Sequence, residues 1–236
     1  MISDQQTNEF YQKMLEIIRS SQALCYRYYD RKYSYSEMYR LMLKFNGFLS
    51  RYRQKQIVLY ASKDFPTYAG IFAVILSNNV WIPLSPESPP SRNLAMLEQI
   101  DPAVLIHEGN LPSELIDALK KKNVEVVTFE EILTSGKERE FQAGTFKKDE
   151  QAYLMFTSGS TGIPKGVPVT HENYINFVNN ILSILPFGEN EVFSDFHDFA
   201  FDISIFYLFA CVFTQGAFSP IIEPKDKIIP DRKSVV

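Results

Sequence analysis

Between residues 57 and 127 the chain alternates short apolar runs with longer helical stripes, and few folds accept that order. Ile57-Val58-Leu59-Tyr60, Val80-Trp81-Ile82-Pro83-Leu84, Ala103-Val104-Leu105-Ile106 and Val124-Glu125-Val126-Val127 read as strands, the second ended by its proline. Tyr68 to Leu76 is nearly all apolar and reads as a buried helix. Leu94, Leu97 and Ile100 mark another helix. Pro112 to Lys122 reads as a third, with its lysines at the favourable C-terminal end. Upstream, Phe10, Met14, Ile17 and Ile18 form one helical stripe. Met38, Leu41, Phe45, Phe48, Leu49 and Tyr52 form a second, with Ser36 as its N-cap. This order predicts an α/β fold with mainly parallel sheets flanked by helices. Thr134 to Glu150 is polar, contains Gly136 and Gly144, and is expected to be a surface connection.

With 45% of 236 residues hydrophobic, the chain can fill one large domain or two small ones. A net charge of −4 argues against a broad basic surface for nucleic acid, leaving only a local patch open. Cys25 and Cys211 lie far apart without metal or redox spacing and read as buried thiols in a reducing compartment. The N-terminus lacks the order of a signal peptide, and the most apolar stretch, Phe199 to Phe213, is too short to span a bilayer. A cytoplasmic protein without membrane insertion is expected. His107, a loop residue, and His171, in the first turn of a helix, have bland readings. With His197 they are scattered and give no metal site.

Residues 157–166 read Thr-Ser-Gly-Ser-Thr-Gly-Ile-Pro-Lys-Gly, after the apolar run Tyr153-Leu154-Met155-Phe156. Backbone N–H groups, small hydroxyls and one ammonium in such a loop can wrap a polyphosphate. It is not a Walker A loop, because here the lysine follows a proline and precedes a glycine. A bland Ser/Gly turn explains the small residues but not the Pro164-Lys165-Gly166 end. Downstream, Thr170 caps a helix with an inner face of Tyr174, Phe177, Val178, Ile181, Leu182 and Leu185. The loop is thus expected between a strand and a helix, where α/β folds place ligands.

The loop resembles the signature of the AMP-forming adenylating enzymes: acyl-CoA synthetases, luciferases and peptide-synthetase adenylation domains. Every fixed position of Thr-Ser-Gly-Ser-Thr-Gly-x-Pro-Lys-Gly is matched. Tyr33-Ser34-Tyr35-Ser36-Glu37 looks like an early family segment. Val80 to Pro86 looks like the family's Val-Pro-Leu-Asp-Pro stretch, with Ser85 replacing the usual aspartate. The resemblance implies a partial N-terminal large domain of an adenylate-forming enzyme. A carboxylate attacks the α-phosphorus of ATP, an acyl-adenylate forms and pyrophosphate leaves. Preorganised donors meet the charge that builds on the phosphates. The implied ATP-binding residues are Thr157, Ser158, Gly159, Ser160, Thr161, Gly162, Lys165 and Gly166, with Lys165 catalytic and Mg2+ sharing the charge.

Phe201-Asp202-Ile203-Ser204 resembles the Phe-Asp-x-Ser motif of the amino-acid-activating branch, and the spacing from Thr157 looks like that of D-alanyl carrier protein ligases. Asp202 would then bind the substrate's α-ammonium group, amid Phe199, Phe201, Ile203, Ile205 and Phe206, where an unpaired carboxylate is costly. The competing reading is a cap on a local helix turn. His197 is a candidate pocket residue, against a plain hydrogen-bonded structural role. The implied acceptor is the thiol of a phosphopantetheine carrier protein. An acyl-CoA synthetase and a non-catalytic nucleotide-binding module remain the alternatives.

Family members are about twice as long, so residues 1–230 are expected to be an incomplete N-terminal adenylation domain without the mobile C-terminal domain, and inactive alone. Asp231-Arg232-Lys233-Ser234-Val235-Val236 can be encoded by a string found in a common sequencing adapter, and 231–236 are expected to be a non-native tail, with a split or decayed gene as the competing account.

Overall fold

A computed structural model describes residues 1–142, 145–158, 163–188 and 190–222. The proposed tail, 231–236, and Gly144 lie outside them. The elements in chain order are α1 (Asp4–Ser20), β1 (Leu24–Tyr28), β2 (Arg31–Ser34), α2 (Tyr35–Leu49), β3 (Gln56–Tyr60), α3 (Phe65–Leu76), β4 (Val80–Leu84), α4 (Pro90–Leu97) and β5 (Val104–His107). They continue with α5 (Ser113–Lys121), β6 (Glu125–Thr128), α6 (Phe129–Ser135), β7 (Gln151–Ser158), β8 (Pro164–Thr170), α7 (His171–Ile184), β9 (Val192–Asp195), α8 (Ser204–Phe213) and β10 (Ala217–Pro220).

Two sheets result: six strands in the order β6-β5-β3-β4-β7-β8, and four in the order β2-β1-β10-β9. Every pairing is parallel except β7–β8 and β1–β2. The α/β expectation therefore holds. Pro83 does not end its strand: it pairs with Leu59, and the strand runs on to Leu84 opposite Tyr60. His107 closes β5 rather than lying in a loop.

Helix α3 explains its own composition. Nearly every residue from Phe65 to Leu76 is buried, because the helix lies between the two sheets. Its Tyr68 ring stacks on Phe218 of β10 at 4.6 Å and meets Tyr26 of β1 edge-on at 5.6 Å, while Phe72 reaches Phe209 of α8 at 5.5 Å. Each such ring contributes roughly 1.5–3 kcal/mol by leaving water.

Helix α2 is capped by Ser34, not Ser36. Ser34 Oγ accepts the Glu37 amide and Glu37 accepts the Ser34 amide, a reciprocal capping box. The stretch after α6 is polar as expected, yet it is fastened down. Asn46 donates to the carbonyls of Arg139 and Glu140, and a Cβ at Gly47 would sit 1.7 Å from the Lys137 oxygen. Phe146 from the same stretch is buried. In α7, Thr170 is the N-cap as expected, but the buried face is His171, Tyr174, Ile175 and Val178. Phe177 and Leu185, expected inside, are exposed, since nothing among the described residues covers that side of the helix.

Candidate active site

The hydroxyl- and lysine-bearing segment closes a β-hairpin. β7 and β8 pair antiparallel, with Phe156 opposite Gly166, Thr157 opposite Lys165 and Ser158 opposite Pro164. Gly159, Ser160, Thr161, Gly162 and the side chain of Ser158 lie outside the described residues. Directly opposed residues keep Cβ atoms about 4.5–5.5 Å apart on one face. Thr157 and Lys165, both exposed, can therefore present a hydroxyl and an ammonium group to one anion. Gly166 lies over the apolar face: an added Cβ would stand 3.2 Å from Leu154 and 3.3 Å from the Phe156 ring.

This corrects the expected strand–loop–helix order. The helix α7 begins where Thr170 pairs with Gln151, at the far end of the hairpin. Seven or eight residues of strand span roughly 25 Å. The helix dipole acts within about its first turn. The α7 N-terminus therefore lies too far from the Thr157–Lys165 end of the hairpin to act on an anion there.

A cavity of about 360 Å³ opens at the C-terminal ends of the parallel strands. Ala61 to Lys63, which follow β3, and Ser85 to Ser88, which follow β4, form one wall. Phe196 to Phe199, after β9, and Ile221 and Ile222, after β10, form the other. The chain steps from β3 to β4 on one side and then to β5 on the other, so the cavity sits where strand order reverses. β7 neighbours β4 in the same direction, so the hairpin mouth opens at this same edge of the sheet.

Sequence reasoning passed over the charged groups of this cavity. Lys63 Nζ lies 2.8 Å from Asp195 Oδ1 and donates to the Asp195 carbonyl at 2.9 Å. Tyr68 donates to Asp195 Oδ2 at 2.6 Å. Burial pushes the Asp195 carboxyl up, while Lys63 and the tyrosine hydroxyls pull it down. Asp198 also lines the cavity, held by Ser85. Asp198 carries a local turn signal, since its side chain accepts the Ala200 amide two residues on. Lys63 carries no local signal, because its partner stands 132 positions further on.

His197 lines the cavity and its ring lies nearly parallel to that of Tyr207 at 6.4 Å. Asp202 is exposed beside Phe201, which lines the cavity. The apolar surroundings expected for Asp202 are only half present: Phe199 and Ile205 are buried, but Phe201 and Ile203 are 57% and 49% exposed. Residues 201–203 form the outer corner of the turn into α8, so the Asp202 carboxylate keeps water. It caps nothing with its side chain, since α8 has no side-chain cap. Burial first, and the Asp202 charge second, raise the Tyr153 hydroxyl on β7. Cys25 and Cys211 are free buried thiols, as expected. Among the described residues, no group of three or more His, Cys, Asp or Glu side chains could hold a metal ion, and no helix is long and apolar enough to cross a membrane.

The family model for AMP-binding enzymes matches residues 18–234. The chain belongs to the AMP-binding enzyme family. Over 214 residues it is 28% identical to the D-alanine–D-alanyl carrier protein ligase of Listeria innocua, covering 84% of this chain and 39% of that one. It thus spans 39% of the length of this AMP-binding relative. The N-terminal subdomain of Klebsiella oxytoca NpsA, solved with 3-hydroxybenzoyl-AMSN, matches with a TM-score of 0.77 at 16% identity, covering 96% of this chain and 55% of that chain. ATP-bound MatB from Rhodopseudomonas palustris gives 0.82 at 14% identity, covering 94% and 46%. At these identities the two structures share the AMP-binding fold with this chain.

Proposed function

We propose that this chain forms the nucleotide-facing part of an ATP-dependent ligase that activates a carboxylic acid, foremost an amino acid, as its acyl-adenylate. The observation that carries this is the placement of Thr157 opposite Lys165 at the mouth of a hairpin, beside a cavity at the reversal point of the sheet. The hydroxyl and ammonium groups receive the β- and γ-phosphates of ATP, and Ser158, Gly159, Ser160, Thr161, Gly162 and Gly166 belong to the same proposed cradle. The donor set fits a polyphosphate: two exposed donors share one face. Mg2+ would be held largely by phosphate oxygens and water, as that ion prefers when the protein offers no cage. The carboxylate of the acid attacks the α-phosphorus, a P–O bond to pyrophosphate breaks, and Lys165 stabilises the departing charge.

Asp202 is exposed next to Phe201, which lines the cavity, and in this reading it takes the α-ammonium group of the substrate, with His197 lining the pocket. The ligase of Listeria innocua supports an amino acid and a carrier thiol as substrate and acceptor. Residues 1–230 are read as part of an N-terminal adenylation domain, supported by the shares of the relatives that they cover, and a cytoplasmic setting belongs to the same reading. The test is pyrophosphate exchange with a panel of amino and fatty acids, in a polypeptide extending this chain to the length of its relatives. Exchange that depends on one amino acid is expected. Exchange with fatty acids alone would replace the amino acid in the proposal, and none at all would remove the activity.

A further inference from the structure

Ser85 stands where the resembled pattern has aspartate, and its surroundings give that difference a purpose. It is 2% exposed at the end of β4. Its carbonyl accepts from Asn93 Nδ2 at 2.8 Å, which fixes its backbone. Its Oγ accepts the Glu87 amide at 3.1 Å, leaving the single hydroxyl proton for Asp198 Oδ2. The other Asp198 oxygen accepts the Ala200 amide at 2.8 Å, and the Asp198 carbonyl accepts the Phe201 amide at 3.0 Å. One carboxylate therefore ties the 198–203 turn to the end of β4, across the cavity.

We infer that Asp198 is a positioning residue: clipped by Ser85, it fixes the turn that carries Phe201, which lines the cavity, and Asp202 next to it. The substrate link rests on the proposed amino-acid activation; the clip itself does not. An aspartate at 85 would have no proton to give and would set two carboxylates against each other. Serine at 85 and aspartate at 198 thus form a matched pair.

Amide hydrogen exchange on the 236-residue chain reads the clip without any ligand. Ser85→Asp should speed exchange at 199–206 by about tenfold, leaving β3 and α3 unchanged, and Ser85→Ala should fall between it and the parent. Adding Asp198→Asn to Ser85→Asp supplies N–H donors from the other side and should restore slow exchange. Unchanged exchange in Ser85→Asp, or no rescue in the double variant, overturns the clip. If Ser85→Asp fails to fold, the Ser85→Ala rate decides alone. In the extended polypeptide, Ser85→Asp should raise the KM for the amino acid about tenfold with the KM for ATP unchanged, again with rescue. Faster exchange with an unmoved amino-acid KM overturns the positioning role. If no amino acid is activated at all, the proposed function fails while the exchange result still stands for the clip.

Discussion

Lys63 Nζ lies 2.8 Å from Asp195 Oδ1, with Asp195 fully buried and Lys63 reaching it from the end of β3. The pair joins the two sheets under the cavity floor. Lys63→Met leaves a buried carboxylate without its cation and should cost about 3–5 kcal/mol in urea unfolding. Lys63→Met with Asp195→Leu removes both charges and should cost clearly less than the two single changes summed. Additive losses would show that the two groups do not act as a pair.

Two groups titrate against each other in mild acid. The Asp64 carboxyl is raised to about 6, by burial first and by Glu108 second. Its folded form binds a proton more readily than the unfolded chain, so its contribution is full below about pH 4 and is lost as pH rises through 6. His171, whose Nδ1 meets the Tyr11 hydroxyl at 2.5 Å, is lowered to about 4 by burial. Its folded form resists the proton, so its contribution is full above about pH 6.5 and is lost as pH falls through 4. The two slopes oppose each other in this window. Asp64→Asn, which keeps a good N-cap, should make stability fall more steeply from pH 6.5 to 4. His171→Leu with Tyr11→Phe should turn the slope the other way. Chemical denaturation at five pH values between 4 and 7 checks both signs.

Gly47 offers a test in which two effects point in opposite directions. In a bare helix, glycine to alanine gains up to about 1 kcal/mol. Here the new Cβ would meet the Lys137 carbonyl at 1.7 Å. The 137–140 stretch would have to lift and give up its bonds from Asn46. Gly47→Ala should therefore destabilise by about 1–3 kcal/mol. A rise in melting temperature would show that this stretch gives way freely.

The sequence made the central sheet legible because β3, β4 and β5 are apolar enough to be buried on both faces, and α3 too apolar for any exposed position. The four-stranded sheet was not legible. Its strands are four or five residues long with mixed patterns such as Arg-Lys-Tyr-Ser, and β1 finds its parallel partner in β10 near the other end of the chain. Strand β8 escaped because Pro164, Gly166 and Pro168 are poor strand residues. An edge position with one exposed side tolerates them. The Ser34 cap was readable in principle, since Glu37 stands three residues on. At the site, Thr157 and Lys165 were legible as a motif. Ser85 stood out as a departure from the family pattern, but its pairing with Asp198, and that of Lys63 with Asp195, were not legible, because what joins each pair is the meeting of two sheets rather than any local spacing.

Lys165 tests most directly whether the hairpin mouth receives the phosphates of ATP. In the extended polypeptide, the rate of acid-dependent pyrophosphate exchange should fall about 10–100-fold in Lys165→Ala, the worth of one charged hydrogen bond, with the melting temperature unchanged. Exchange at the parent rate in that variant would contradict the assignment.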